Sequence, residues 1–190
     1  MRQTFVIQPL CISTNGEEET NMSTLIKDNQ ACLDQATELL QTVEKHWYGE
    51  PVKQCFSGTV GKHIRHILDH YSCLMAGIAS RRIDYDNRQR RESIEIQIEV
   101  AIVEIEQMRN QLGTLEDQLD TEVQVKMDTG SLLSDQWPRS TIGRELQFLL
   151  SHAVHHYALI GTMCQIKGQP IPETFGIAPS TIKYQSATGD

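Results

Sequence analysis

Between Ile142 and Met163 apolar residues recur at steps of three, four and seven: Ile142, Leu146, Leu149, Ala153, Ile160 and Met163. That spacing keeps one face of a helix apolar for about six turns, and the face must be buried against other elements. His156 falls on the same stripe. His152 precedes it by four residues, roughly 400° of helical turn, so both imidazoles project from nearly one face and can close on one metal ion. Three of the seven histidines (His152, His155 and His156) lie within this short run. Two protein ligands hold a divalent ion weakly, whereas three with an open position is the arrangement of catalytic zinc sites. The rest of the chain is therefore read for a third ligand.

Three more amphipathic stripes are present. Ile26, Leu33, Ala36, Leu40, Val43 and Trp47 describe a first helix that starts near Ser23 and ends before Gly49-Glu50-Pro51. Val60, Ile64, Ile67, Tyr71, Leu74 and Ile78 describe a second, capped by Ser57 or Thr59. Ile94, Ile98, Ala101, Ile105, Met108 and Leu112 describe a third, although Ser93 to Val100 also alternates like a strand. The run beginning at Ser140 or Thr141 and stopped by Gly168 and Pro170 is the fourth. Four amphipathic helices around one core give an all-α fold, with a bundle over residues 23–168. Residues 1–22 are expected to be a tail with one strand-like piece, Thr4 to Leu10, and a polar loop, Ser13 to Thr20. Residues 169–190 read as an extended tail packed on the helices. Arg81 to Arg91 reads as a structured loop, and 113–140 as the place for a small hairpin or lid.

The 190-residue length suits one domain. A net charge of −8 without a basic helix face argues against nucleic acid or an anionic membrane as partner. No run reaches the ~18 apolar residues of a membrane span, and the first residues make no convincing signal peptide. Five scattered cysteines without a CxxC pair suit free thiols in a reducing cytoplasm.

His63, His66 and His70 lie roughly 60 to 120° to one side of the second stripe, where a neighbouring helix would pack. Neutral imidazoles are good ligands for zinc, nickel and iron, and metal sites in bundles are built from facing helices. Single histidines on apolar faces are usually structural. Two helices that each carry a cluster favour metal, since a buried ring without a partner costs about 1 to 3 kcal/mol. Position on the wheel favours His63 or His70 as third ligand and does not settle the choice.

Thr59-Val-Gly-Lys-His-Ile-Arg-His-Ile-Leu-Asp-His-Tyr71 together with His152-Ala-Val-His-His156 resembles the DinB/YfiT-like superfamily of four-helix-bundle proteins. Arg144-Glu145 and Gly176-Ile-Ala-Pro-Ser-Thr-Ile182 extend the resemblance over roughly Ser23 to Tyr184. It implies an up-down-down-up bundle holding a divalent ion. The family's second-helix histidine matches His66 and its HxxxH pair matches His152 and His156, with His63 and His70 as alternates because this chain has surplus histidines. It further implies a metal-dependent hydrolase or thiol-dependent transferase acting on a small molecule, with zinc, nickel or iron and a low-molecular-weight thiol as cofactors. The other reading is a non-catalytic metal-binding or structural bundle acting as a homodimer. An open coordination position beside an enclosed pocket separates the two.

Around these ligands, Glu145 lies two turns before His152, and Asp69 and Asp84 are further carboxylates able to orient a ring nitrogen. Tyr157 and Tyr71 lie just beyond the histidine clusters and could donate to a metal-bound ligand. Arg88, Arg90 and Arg91 could receive an anionic substrate or cofactor. Cys73 and Cys164, two turns past the histidines, are conceivable thiolate ligands. The plainer reading of each is a paired carboxylate, a packed tyrosine, a solvated arginine or a core thiol.

Overall fold

The computed structural model describes residues 15–55, 57–128, 130 and 136–188, with side chains from Thr24 onward. Its elements in chain order are α1 (Asn15–Thr42), α2 (Lys45–Tyr48), α3 (Val60–Gly77), β1 (Arg82–Asp84), α4 (Glu92–Ile96), α5 (Ile98–Leu112), β2 (Glu122–Lys126), β3 (Arg139–Thr141), α6 (Ile142–Lys167) and α7 (Pro179–Thr188). The fold is mostly helical. The long helices α1, α3, α5 and α6 each pack against two of the others, α1 and α3 both touching α5 and α6.

The four stripes become the core. Ile26, Leu33, Ala36, Leu40 and Val43 from α1 and Val60, Ile64, Ile67, Tyr71 and Leu74 from α3 are buried together with the α5 stripe and that of α6. Thr59 caps α3 by accepting from the Lys62 amide at 2.9 Å, and Thr141 caps α6 by accepting from the Arg144 amide at 3.1 Å. Gly168, at φ 64°, ends α6 in the left-handed conformation that suits glycine. Buried aromatic residues tie helices together through their polar tips: Tyr71 donates to Asn29 Oδ1 at 2.8 Å, Tyr157 to the Cys32 carbonyl at 2.9 Å and Tyr48 to the Ile94 carbonyl at 2.6 Å.

Several expectations need correction. The all-α reading lacked a three-stranded sheet of order β1-β2-β3, in which β1 pairs parallel to β2 and β2 pairs antiparallel to β3. The expected hairpin before α6 is thus two strands of this sheet. The third comes from the segment read as a loop, where buried Ile83 and Tyr85 alternate with more exposed Arg82 and Asp84. The third helix is broken into α4 and α5 at Gln97, whose φ of −121° and ψ of 106° are extended. The break follows close packing of α4 on α3: a Cβ on Gly61 would sit 1.9 Å from the Glu95 carbonyl oxygen, and Tyr48 takes the Ile94 carbonyl.

The tails differ too. Helix α1 begins at Asn15, inside the run read as loop, where proline is absent and consecutive glutamates favour a helix. The strand-like piece Thr4 to Leu10 lies outside the described residues. The C-terminal segment, read as extended, stacks Phe175 on Tyr157 with ring centroids 4.7 Å apart and ends in α7. Proline at the first position of a helix is preorganised, and Pro179 serves there. Among the described residues no helix is long and apolar enough to cross a membrane.

Candidate metal centre

Helices α3 and α6 pack side by side, and the flank of α3 that carries His63, His66 and His70 meets the face of α6 that carries His152 and His156. Five imidazoles form one row between the helices. Ring centroids lie 4.4 Å apart for His66 and His70, 4.3 Å for His70 and His152, and 4.9 Å for His66 and His152. The row continues through His156, 4.7 Å from His66 and 4.6 Å from His152, to His63. His155 is exposed and stands outside the row.

Hydrogen bonds divide the row. The His63 and His156 Nδ1 atoms lie 2.8 Å apart, so one ring donates to the other. His70 Nδ1 lies 2.8 Å from the His66 carbonyl oxygen, which can only accept, so the proton is on Nδ1 and the lone pair on Nε2. Fixing a ring through its second nitrogen in this way is what metal-binding histidines ordinarily show. His152 Nε2 is buried without a hydrogen-bond partner. One ring nitrogen from each of His66, His70 and His152 lies within 4.8 Å of the other two. An orphaned buried nitrogen facing two further imidazoles fits a divalent ion.

Burial keeps these rings neutral. It pushes His66 down to about 3, helped by His70, His156, His152 and Arg88, and His156 down to about 3, helped by His152, His63 and His155. Burial, then His70, His155 and Arg88, takes His152 to about 4. His63 and His70 are also lowered, chiefly by burial. All therefore offer lone pairs at neutral pH, which metal binding requires.

A cavity of about 700 Å³ opens onto His66, His70 and His152 and is walled by Phe148, Met127, Arg88, Arg90, Lys126, Asp86 and Asp128. A second, of about 540 Å³, meets the other end of the row at His63, His66 and His156, with Leu159, Met163 and Cys55 as mostly apolar walls. His66 belongs to both. Tyr85 stacks on His70 with centroids 5.6 Å apart, and its hydroxyl donates to Glu145 Oε2 at 2.9 Å.

Of the expected ligands, His66 and His152 fall in the tightest group, the alternate His70 completes it, and His156 lies beside it paired with the alternate His63. His156 is half-buried, and Tyr157 occupies the inward position on α6. The other candidates are dispersed. Glu145 has both oxygens engaged, by Tyr85 and by Ser140 Oγ at 2.5 Å, and reaches the row only through the Tyr85 ring. Asp69 pairs with Arg65. Asp84 lies on β1 and Tyr71 points to Asn29, while Tyr157 is buried against Cys32 and Phe175 away from the row. Arg91 is held bidentately by Glu104 at 2.7 Å, whereas Arg88 faces His70. Burial pushes the Cys73 and Cys164 thiols up to about 11, which suits core residues.

Tyr85 and Phe148 were not anticipated. The Ile83/Tyr85 alternation was the available signal for the first, and Phe148, four residues before His152, shares its helix face. No family model matches the chain, and no solved structure matches it. Among curated proteins, FK506-binding protein 5 of Rhizopus delemar is similar at 46% identity over 46 residues, a stretch that is 24% of this chain and 12% of that protein.

Proposed function

We propose that the chain is a divalent-metal-binding protein of the DinB/YfiT-like kind, its long helices forming that family's bundle, and that it is a metal-dependent hydrolase or thiol-dependent transferase acting on a small molecule. The observation that carries the metal is the orphaned His152 Nε2 converging with His66 and His70. When bound, a zinc, nickel or iron ion supplies Lewis-acid polarisation and acidifies a water or thiol. The chain's own residues prepare for it: the His66 carbonyl orients His70, Tyr85 and Phe148 pack against the rings of His70 and His152, and burial keeps every ring unprotonated. The adjoining cavity supports turnover over a closed structural site, because a small molecule can reach the histidines through it.

The geometry favours His66, His70 and His152 as ligands, while the resemblance puts His156 in place of His70. Elemental analysis of purified, metal-replete protein tests both statements. One ion per chain is expected in wild type, with loss in His66→Ala and His70→Ala and retention in His156→Ala. Retention in His70→Ala with loss in His156→Ala would move the third ligand to His156, and wild type without stoichiometric metal would end the metal reading.

A further inference from the structure

The Arg88 guanidinium points an N–H at His70 Nε2 across 3.3 Å, on the lone pair that a metal ion would need. That lone pair can serve Arg88 or an ion, not both. Binding of an ion therefore frees that N–H of Arg88 and releases the guanidinium from the ring at the edge of the centre. Arg88 has no carboxylate partner among the described residues, although the chain carries an acidic excess and Arg65, Arg91 and Arg109 are each paired with a carboxylate. Arg90, at the same rim, also has none, and it holds a left-handed backbone with φ 51°. Neither carboxylate of the cavity is paired with these arginines, and each has one oxygen held by a backbone amide: Asp86 Oδ1 accepts from the Asp128 amide at 2.9 Å and Asp128 Oδ1 from the Gly130 amide at 2.7 Å. Phe148 and Met127 add apolar wall to the same cavity.

A planar fork of donors beside an apolar wall fits a carboxylate on a short apolar body. We propose that Arg88 receives the carboxylate of a small organic acid at this centre, and that metal and acid bind cooperatively because the metal takes over the His70 nitrogen to which Arg88 is otherwise bound. The proposal rests on the metal reading above and names the ligand class for the same site. Arg88 opposes the metal while the acid is absent, through its charge and through its hold on His70, and favours it once the acid is present. Linkage makes the effect reciprocal.

Zinc titration of metal-free protein by calorimetry, in the presence of butyrate or of the neutral butyramide, tests this. In wild type, butyrate is expected to tighten zinc binding by about fivefold or more, within the usual range of coupling, and butyramide to leave it unchanged. In Arg88→Gln, zinc alone should bind at least as tightly as in wild type, and the butyrate effect should disappear. Arg88→Lys, which keeps the charge without the planar fork, should show a reduced effect. An undiminished butyrate effect in Arg88→Gln, or none in wild type that binds zinc, would overturn the proposal and leave the metal reading intact. Wild type that binds no zinc would overturn both.

Discussion

Acidification of the metal-free protein should destabilise it well before its carboxylates protonate. His66, His152 and His156 sit at about 3, 4 and 3 in the folded chain against an ordinary 6.5. Below that ordinary value the unfolded chain binds protons that the folded chain refuses, so stability is complete above about pH 6.5 and is lost as the pH falls toward the folded values. The loss approaches about 1.4 kcal/mol per ring per pH unit once the unfolded rings are mostly protonated, and is about 1 kcal/mol per ring over the first unit. Because the rings also repel one another's protons, the three together lose less than three independent rings would, about 1–3 kcal/mol against an ordinary domain's 5–15 kcal/mol. His63 and His70 add in the same direction. The assay is guanidinium unfolding followed by circular dichroism on chelator-treated protein at about pH 7 and about pH 5.5. The midpoint should fall while the slope stays constant. A midpoint unchanged across this window would mean that the folded rings take up protons freely, and that the row is solvated rather than poised for metal.

Zinc at about a hundred times its dissociation constant should stabilise wild type at neutral pH by about 2.7 kcal/mol, reversibly by chelator, and should leave His66→Ala nearly unmoved in a thermal melt. Gly61→Ala should destabilise by about 1–3 kcal/mol or more in denaturant unfolding, because its Cβ would meet the Glu95 backbone carbonyl; a wild-type midpoint would contradict the close packing of α4 on α3. Tyr85→Phe should cost about 1–3 kcal/mol by taking a donor from buried Glu145, yet keep zinc stoichiometry at the wild-type value in elemental analysis, because the ring on His70 remains.

The helical stripes were legible because burial of one face imposes a period that survives in a single sequence: Val60, Ile64, Ile67, Tyr71 and Leu74 are all inward in α3. At His156 the same reasoning slipped by one residue. Tyr157 is also apolar in its body, lies only about 100° further round, and takes the inward place because its hydroxyl finds the Cys32 carbonyl. Choosing among His63, His66 and His70 requires how α3 and α6 cross, and no wheel of one helix contains that. Arg88 was noticed as charge alone, since its meeting with His70 depends on β1 turning the chain back along α3. The sheet itself was half seen, as a hairpin, because its third strand is three residues long, opens on Arg82 and follows Arg81.

That sheet sets how the cavity is assembled. The segment that leads to Arg88 is stitched to β2, with the Tyr85 amide donating to the Lys126 carbonyl at 2.9 Å and Asp86 holding the Asp128 amide. The histidines, by contrast, belong wholly to α3 and α6. On the proposed reading, the ion would be held by α3 and α6, and most of the surrounding cavity wall comes from other parts of the chain. Substitutions at Arg90, Met127 and Asp128 would reshape the cavity wall while Tyr85 stays stacked on His70 and the imidazole row stays as it is, which makes this rim the natural target for redesign.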